Sequence, residues 1–379
     1  MAAADRTVHR ASRFSRGPRS VATISRVKGN ESGKSCRILP ISSDSVGISP
    51  QGRKHSVMIQ GDEEVSDDER YFPFTNLLAR SRHRDGSIYR GMDLWWKEEY
   101  HVANRNETRL EAMMLSDPTN FTIRDGFCRQ HYAHRMLQIF SLELAEICLD
   151  GGLVELYGYI AVRDGLNPLL NYVVNFSRDD PIIVEQGSLI NVTGPKRGIV
   201  LLAPILIEYD MRIKTGKQEE DDLQLIDGAT IMGTEGAWDR PYMMRIPGDC
   251  GVIGINLSRI NYAVEATIEV HISEVQSRFN LSLRCLTSGL DEEICLFDGV
   301  ITQSRGLKRS VVAVVRNSLL DLKFEIGTPS PTTDKYRCCF KAKIHGNDIQ
   351  NIKTYFALIS VRVTWSTLPS YFPTKRLST

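Results

Sequence analysis

The stretch GPKRGIVLLAPILIEYDMRIKTGKQEEDDLQLIDGA, residues 194–229, decides the fold class. At its centre Ile205, Ile207, Tyr209, Met211 and Ile213 alternate with Leu206, Glu208, Asp210 and Arg212. Successive side chains on a strand point to opposite faces, so the run predicts a strand with one face in a core and the other in solvent. On a helix the same apolar set would scatter around the cylinder. Gly194-Pro195 and Gly198 punctuate the chain before the strand, and Thr215-Gly216 turns it afterwards.

The same pattern recurs on both sides. Strand signatures run from Met136 to Ile147, from Val154 to Arg163, from Tyr172 to Phe176 and from Ser188 to Thr193, and the pattern resumes over Leu223–Ile226. Further on, Val264, Ala266, Ile268, Val270 and Ile272 alternate with polar residues, followed by runs at 293–297, 311–315, 320–326, 336–344 and 355–365. Within 336–344 the alternation directs Cys338 to the core and Cys339 outward. Short turns and no intervening helical period predict an all-β, antiparallel β-sandwich or flattened barrel over residues 135–368.

The segments before and after read differently. Residues 1–60 carry eleven Lys/Arg against three acids, and residues 62–69 then hold six acids. So few apolar groups cannot offset the entropy of ordering, so 1–70 reads as a disordered basic, then acidic, tail. An Arg- and Ser-rich, acid-poor organelle transit peptide is the competing reading, for chloroplast or mitochondrion; otherwise the chain is expected in the cytoplasm. Residues 71–134 read as a partly helical connecting segment, with a helix near Glu107–Leu115, and Trp95-Trp96 as packing groups. Residues 369–379 form a C-terminal tail.

Bulk composition excludes more than it identifies. The net charge of +1 predicts no particular partner, and the basic tail lacks interleaved aromatics, so nucleic-acid binding is not supported. No run approaches eighteen apolar residues, so no membrane span is expected. Eight cysteines without a CxxC pair read as reduced, mostly buried thiols, and sequons such as Asn191-Val192-Thr193 as inert. Cys128-x-x-His131-x-x-His134 has metal-like spacing but no second close pair to complete four ligands, so neither a metal nor a cofactor is expected. Nucleophile-elbow, zincin, phosphate-loop and dinucleotide fingerprints are all missing, and no catalytic residues are assigned.

One candidate site comes from the residues themselves. Gly194, Lys196, Arg197 and Gly198 could cradle an anion, because successive N–H groups in a glycine turn form a positive nest. The alternative is a strand connection whose charges face water. Asp164, Asp179, Asp180 and the Glu219–Asp222 cluster resemble loop acids of calcium-binding sandwiches, with solvated loop acids as the alternative.

VELYGYIAVRDGLNPLLNYVVNFSRDDP, GPKRG and IEYDMRIKTGKQEEDDLQLIDGA, with AVEATIEVHISEVQSRFNLSL and FKAKIHG…TYFALISVRVTWST, resemble a plant family expanded in grasses and classed only as a domain of unknown function. The resemblance spans roughly residues 105–368. It implies an all-β domain and, through occasional fusions, a link to the jasmonate-induced ribosome-inactivating proteins of cereals. Those N-glycosidases carry Glu-x-x-Arg-Phe on a core helix. Here three residues, not two, separate Glu274 from Arg278, the pair follows a strand, and no tyrosines can be matched to the adenine sandwich.

The resulting expectation is a non-catalytic interaction module in plant stress or defence. Its macromolecular partner and oligomeric state are unspecified. An rRNA N-glycosidase-related activity and a calcium- or phospholipid-responsive sandwich are the alternatives.

Overall fold

Alternating apolar runs closed by turns build three main antiparallel sheets. The computed structural model describes residues 75–78, 81–91, 94–102, 123–124, 127–128, 132–149, 151–327 and 333–368. The basic tail, the Glu107–Leu115 helix and the C-terminal tail therefore lie outside the described residues. A six-stranded sheet orders Thr75–Leu77, Leu223–Met232, Ile205–Ile213, Val154–Arg163 and Asn171–Phe176, with Ile182–Val184 also pairing to Val154–Arg163. A four-stranded sheet orders Ile294–Ile301, Phe279–Thr287, Leu319–Gly327 and Thr333–Lys341. The third sheet is built on one 23-residue strand, Gly251–Ser273. None of these sheets closes on itself, so the flattened-barrel variant is not the one adopted.

The long strand serves two cores. Over its first half it pairs with His134–Ile147 and Tyr242–Pro247, and over its second with Ser310–Val315 and Leu358–Ser366. Ile253, Ile255 and Leu257 pack with Ile205, Ile207, Tyr209, Met211 and Ile213 of the six-stranded sheet in one apolar cluster. Val264, Ala266, Ile268, Val270 and Ile272 pack against Leu281, Leu283, Leu322 and Phe324 of the four-stranded sheet in another. Between the halves the register with His134–Ile147 shifts, and Tyr262 adopts φ 50° with its side chain 68% exposed. A bulge of this kind twists a strand, and here it separates the two cores. Over the first half Ile253, Ile255 and Leu257 alternate with Gly254, Asn256 and Ser258, a strand pattern additional to those read from the sequence above.

Two further expectations change. Core-forming residues do not all lie after residue 135: Thr75–Leu77 pairs with Thr230–Met232, and Ile88, Trp96, Tyr100 and Val102 pack against Leu206, Ala229 and Ile231. Trp96 is a packing group as expected, whereas Trp95 is 58% exposed. Nor are all the cysteines reduced, since Cys148 is bonded to Cys250, closing the two strands that flank the first core. Cys338 is buried and Cys339 exposed, as alternation requires.

Candidate functional site

The central strand departs most from its sequence reading on its outer face. Every residue of Ile205–Ile213 is buried, including Glu208, Asp210 and Arg212, which alternation assigns to solvent. The cover is the 81–102 segment, which lays Trp96 and Tyr100 over Leu206 and inserts His83 between two carboxylates. His83 Nδ1 lies 2.7 Å from Asp227 Oδ1, and Nε2 lies 3.0 Å from Glu208 Oε1. Tyr159 donates its hydroxyl to Glu208 at 2.8 Å, and Arg163 Nε donates to the other oxygen at 2.7 Å. Burial opposes charge on His83, yet its hydrogen bonds to Asp227 and Glu208 carry the ring up to about 9. Burial likewise opposes charge on Glu208, but Arg163 and His83 hold it down at about 2. A buried charge survives only when paired and hydrogen-bonded, and this cluster meets that condition.

Beside this cluster the sheet opens. A concavity of about 390 Å³ is lined by Tyr157, Tyr159, Tyr172, Asn175, Asp210, Arg212 and Glu219. Gly158 makes the local geometry: with φ +105°, an added Cβ would lie 2.1 Å from the Asp210 carbonyl oxygen. The polar groups fix one another. Arg212 donates to Asp210 at 3.2 Å and to Glu219 at 2.6 Å, and Gln224 donates to Asp210 at 2.9 Å. Tyr157 donates its hydroxyl to Asp222 at 2.7 Å, and Arg178 donates to the same carboxylate. Although burial opposes it, Arg178 and Tyr157 hold Asp222 well below the usual carboxylate range.

The Gly194–Gly198 turn splits its residues between interior and surface. Arg197 is fully buried and grips Asp164 with two bonds of 2.7 and 2.8 Å, and Gly198 N donates to the buried Glu265 at 2.5 Å. Those two members of the sequence candidate therefore serve the protein's own carboxylates. Gly194 and Lys196 face outward into a second concavity of about 350 Å³, where Lys308 and Arg309 arrive from the loop before Ser310–Val315. Gly194 is required by close approach, because a Cβ there would fall 1.8 Å from the Tyr172 carbonyl oxygen. Lys308 and Arg309 escaped the sequence reading. Their signal was a second Lys-Arg pair two residues after a glycine, Gly306. Tyr172 and Asn175 line both concavities, so the two adjoin.

The other sequence candidates fall elsewhere. Glu274 and Arg278 are exposed in the loop joining Gly251–Ser273 to Phe279–Thr287, with Glu274 at φ 52°, not on a helix. His134 is buried with Nε2 2.8 Å from the Leu368 carbonyl oxygen. Asp164 is taken by Arg197, Asp222 by Arg178 and Glu219 by Arg212. Among the described residues, no group of three or more His, Cys, Asp or Glu is placed to share a metal ion.

Packed antiparallel sheets with two cores on a shared strand, flanked by a polar groove, place the chain among all-β proteins of sandwich type. More specifically, it belongs to the family of DUF6598, a domain of unknown function, which matches residues 136–363. No curated protein matches it in sequence. Among solved structures, human GIVD cytosolic phospholipase A2 aligns at 8% identity over 61% of this chain and 33% of that one, with a TM-score of 0.22. The C2A- and C2B-domains of Extended-Synaptotagmin 2 align at 8% identity over 68% of this chain and 99% of that one, also with a TM-score of 0.22. The chain spans about a third of the phospholipase's length, and likenesses this slight assign it neither a fold relationship nor a role. No helix among the described residues is long and apolar enough to cross a membrane.

Proposed function

We propose that this protein is a non-catalytic interaction module whose ligand carries an anionic group of the phosphate class. One observation carries the reading: Lys196, Lys308 and Arg309, from loops more than a hundred residues apart, converge on one concavity beside the Gly194-Pro195 turn. Lysine and arginine donors grouped in a concave wall are the ordinary means of holding phosphate oxygens. The buried His83–Glu208 pair, which lies behind Tyr159 and itself lines neither concavity, is also ill suited to catalysis. General acid–base work needs a pKa near neutrality, whereas His83 is held at about 9 and Glu208 at about 2.

The alternatives draw less support. Glu274 and Arg278 lie in an exposed loop and line neither of the two concavities, and three acids of a calcium reading, Asp164, Glu219 and Asp222, are already paired with arginines. A plant stress or defence setting rests on the family resemblance alone. The Cys148–Cys250 bridge supports an oxidising compartment over the cytoplasm.

Titration calorimetry with inorganic pyrophosphate tests the reading. The wild-type chain should bind, binding should weaken as salt rises, and the Lys196→Gln, Lys308→Gln, Arg309→Gln triple variant should lose at least about tenfold in affinity. Absence of wild-type binding, or an unchanged triple variant, overturns it.

A further inference from the structure

At one end of the first core stand four arginines, 135, 240, 259 and 316, that pair with no carboxylate among the described residues. Arg135, exposed on His134–Ile147, holds its guanidinium 5.0 Å from the centre of the Trp238 ring. Asp239 N donates to the Arg259 carbonyl oxygen at 2.7 Å, and Arg316 N donates to that of Tyr262 at 2.8 Å. These contacts set exposed Arg240 and exposed Arg316 along one short stretch of the long strand, residues 259–262. Arg259 is itself 1% exposed and stacks on Tyr242 at 5.1 Å, and its Nε and Nη1 meet no acceptor among the described residues. The 233–240 loop brings two acids of its own, Glu235 and Asp239, and Asp239 accepts from Asn261 N at 2.9 Å. The end is therefore net cationic, and a buried guanidinium without a counter-charge is costly.

The chain carries the missing charge close by. Thr75 pairs with Met232 and Leu77 with Thr230, so the chain reaches Thr75 at the same end from which the 233–240 loop leaves Met232. Upstream of Thr75, outside the described residues, the sequence reads Glu64-Val65-Ser66-Asp67-Asp68-Glu69, four acids in six residues. Glu69 stands six positions before Thr75, about 20 Å of fully extended chain, and Trp238 six positions beyond Met232. Arginine clusters take acidic segments through charge-assisted hydrogen bonds. Each exposed pair is weak by itself. A short tether, however, keeps such a segment at an effective concentration on the order of millimolar. A dissociation constant of about 0.1 mM in trans is then enough to keep the surface mostly filled.

We infer that this arginine-lined end is a docking surface for acidic peptide, and that its occupant is the chain's own segment 64–69, held in cis. Arg135, Arg240 and Arg316 take the carboxylates at the surface, and Arg259 adds its charge from beneath. The surface shares no residue with the concavity of Lys196, Lys308 and Arg309, so neither claim depends on the other.

Two measurements on the full chain test it. Trypsin cleaves after Arg70, directly behind the acids. Arg135→Gln with Arg240→Gln alters two exposed side chains and leaves that sequence intact, so the fold should hold while cleavage at Arg70 quickens at least about fivefold. Raising NaCl to about 0.5 M should erase the difference between the two chains. Calorimetry with a synthetic peptide of residues 64–71 then reads the vacated surface. A Glu64→Gln, Asp67→Asn, Asp68→Asn, Glu69→Gln variant should bind the peptide at least about fivefold more tightly than wild type, whose own segment competes. Adding Arg135→Gln and Arg240→Gln to that variant should abolish the binding. Equal cleavage rates, or equal peptide affinity in wild type and the acid-neutralised variant, overturn the inference. Protection of Arg70 that grows with chain concentration would assign the surface to the acids of a second copy, and so overturn docking in cis.

Discussion

The two sandwiches carry similar alternating strands, yet their outer faces have opposite fates. In Ile205–Ile213 the outward Glu208, Asp210 and Arg212 are buried, because the 81–102 segment and the Glu219 turn lie over them. In Leu319–Gly327 and Thr333–Lys341 most outward charges stay at the surface, as in Lys335–Glu325 at 2.8 Å with side chains 73% and 44% exposed, and only Asp321 is buried, beneath the exposed Arg337. The inner faces are alike, so alternation settles only which side is apolar. What becomes of the polar side depends on whether another part of the chain covers it. A covered face must pair every charge it encloses, and the covered face here does so and retains a groove.

The disulfide sharpens this contrast most. Cys148–Cys250 staples the first sandwich across a sequence separation of 102, whereas Cys285, Cys295, Cys338 and Cys339 of the second are free. Loop-closure entropy for a ring of this size is worth about 4–5 kcal/mol. Replacing both Cys148 and Cys250 with Ser should lower the urea midpoint by a matching amount, and the same change at Cys295 and Cys339 should leave it nearly unmoved.

A smaller effect compares one carboxylate from each outer face. Glu208→Gln leaves Arg163 and His83 enclosed without a full counter-charge and should cost about 3–5 kcal/mol in denaturant unfolding. Glu325→Gln breaks only an exposed pair and should leave the midpoint within error. Equal losses would mean that the two faces are not different in kind.

The smallest effect is one of pH. His83 is carried from an ordinary value of 6.5 to about 9 in the folded chain, so its contribution is complete below about pH 6.5 and is lost as pH rises through about 9. Hydrogen exchange, corrected for intrinsic rates, should show 81–102 losing protection between pH 7 and 9.5 while the four-stranded sheet keeps its own. His83→Ala should remove that pH dependence. Loss of protection on acidification instead would reverse the sign and break the assignment.

By itself the sequence determined what is local. Period-two alternation placed Ile205, Ile207, Tyr209, Met211 and Ile213 in a core, and Cys338 inside with Cys339 out, because a strand alternates whatever its neighbours are. It also drew attention to Lys196, since a glycine turn with cations is visible in five residues. Only the tertiary structure decided the rest. His83 reaches Glu208 across 125 positions, and Lys308 and Arg309 reach the Gly194 turn from a distant loop of the same sheet. Which segment covers a face, and which distant loop completes a concavity, follow from pairings between strands far apart in the chain. No local period encodes a choice of partner, so the buried charges and the basic concavity appear only when the sheets are assembled.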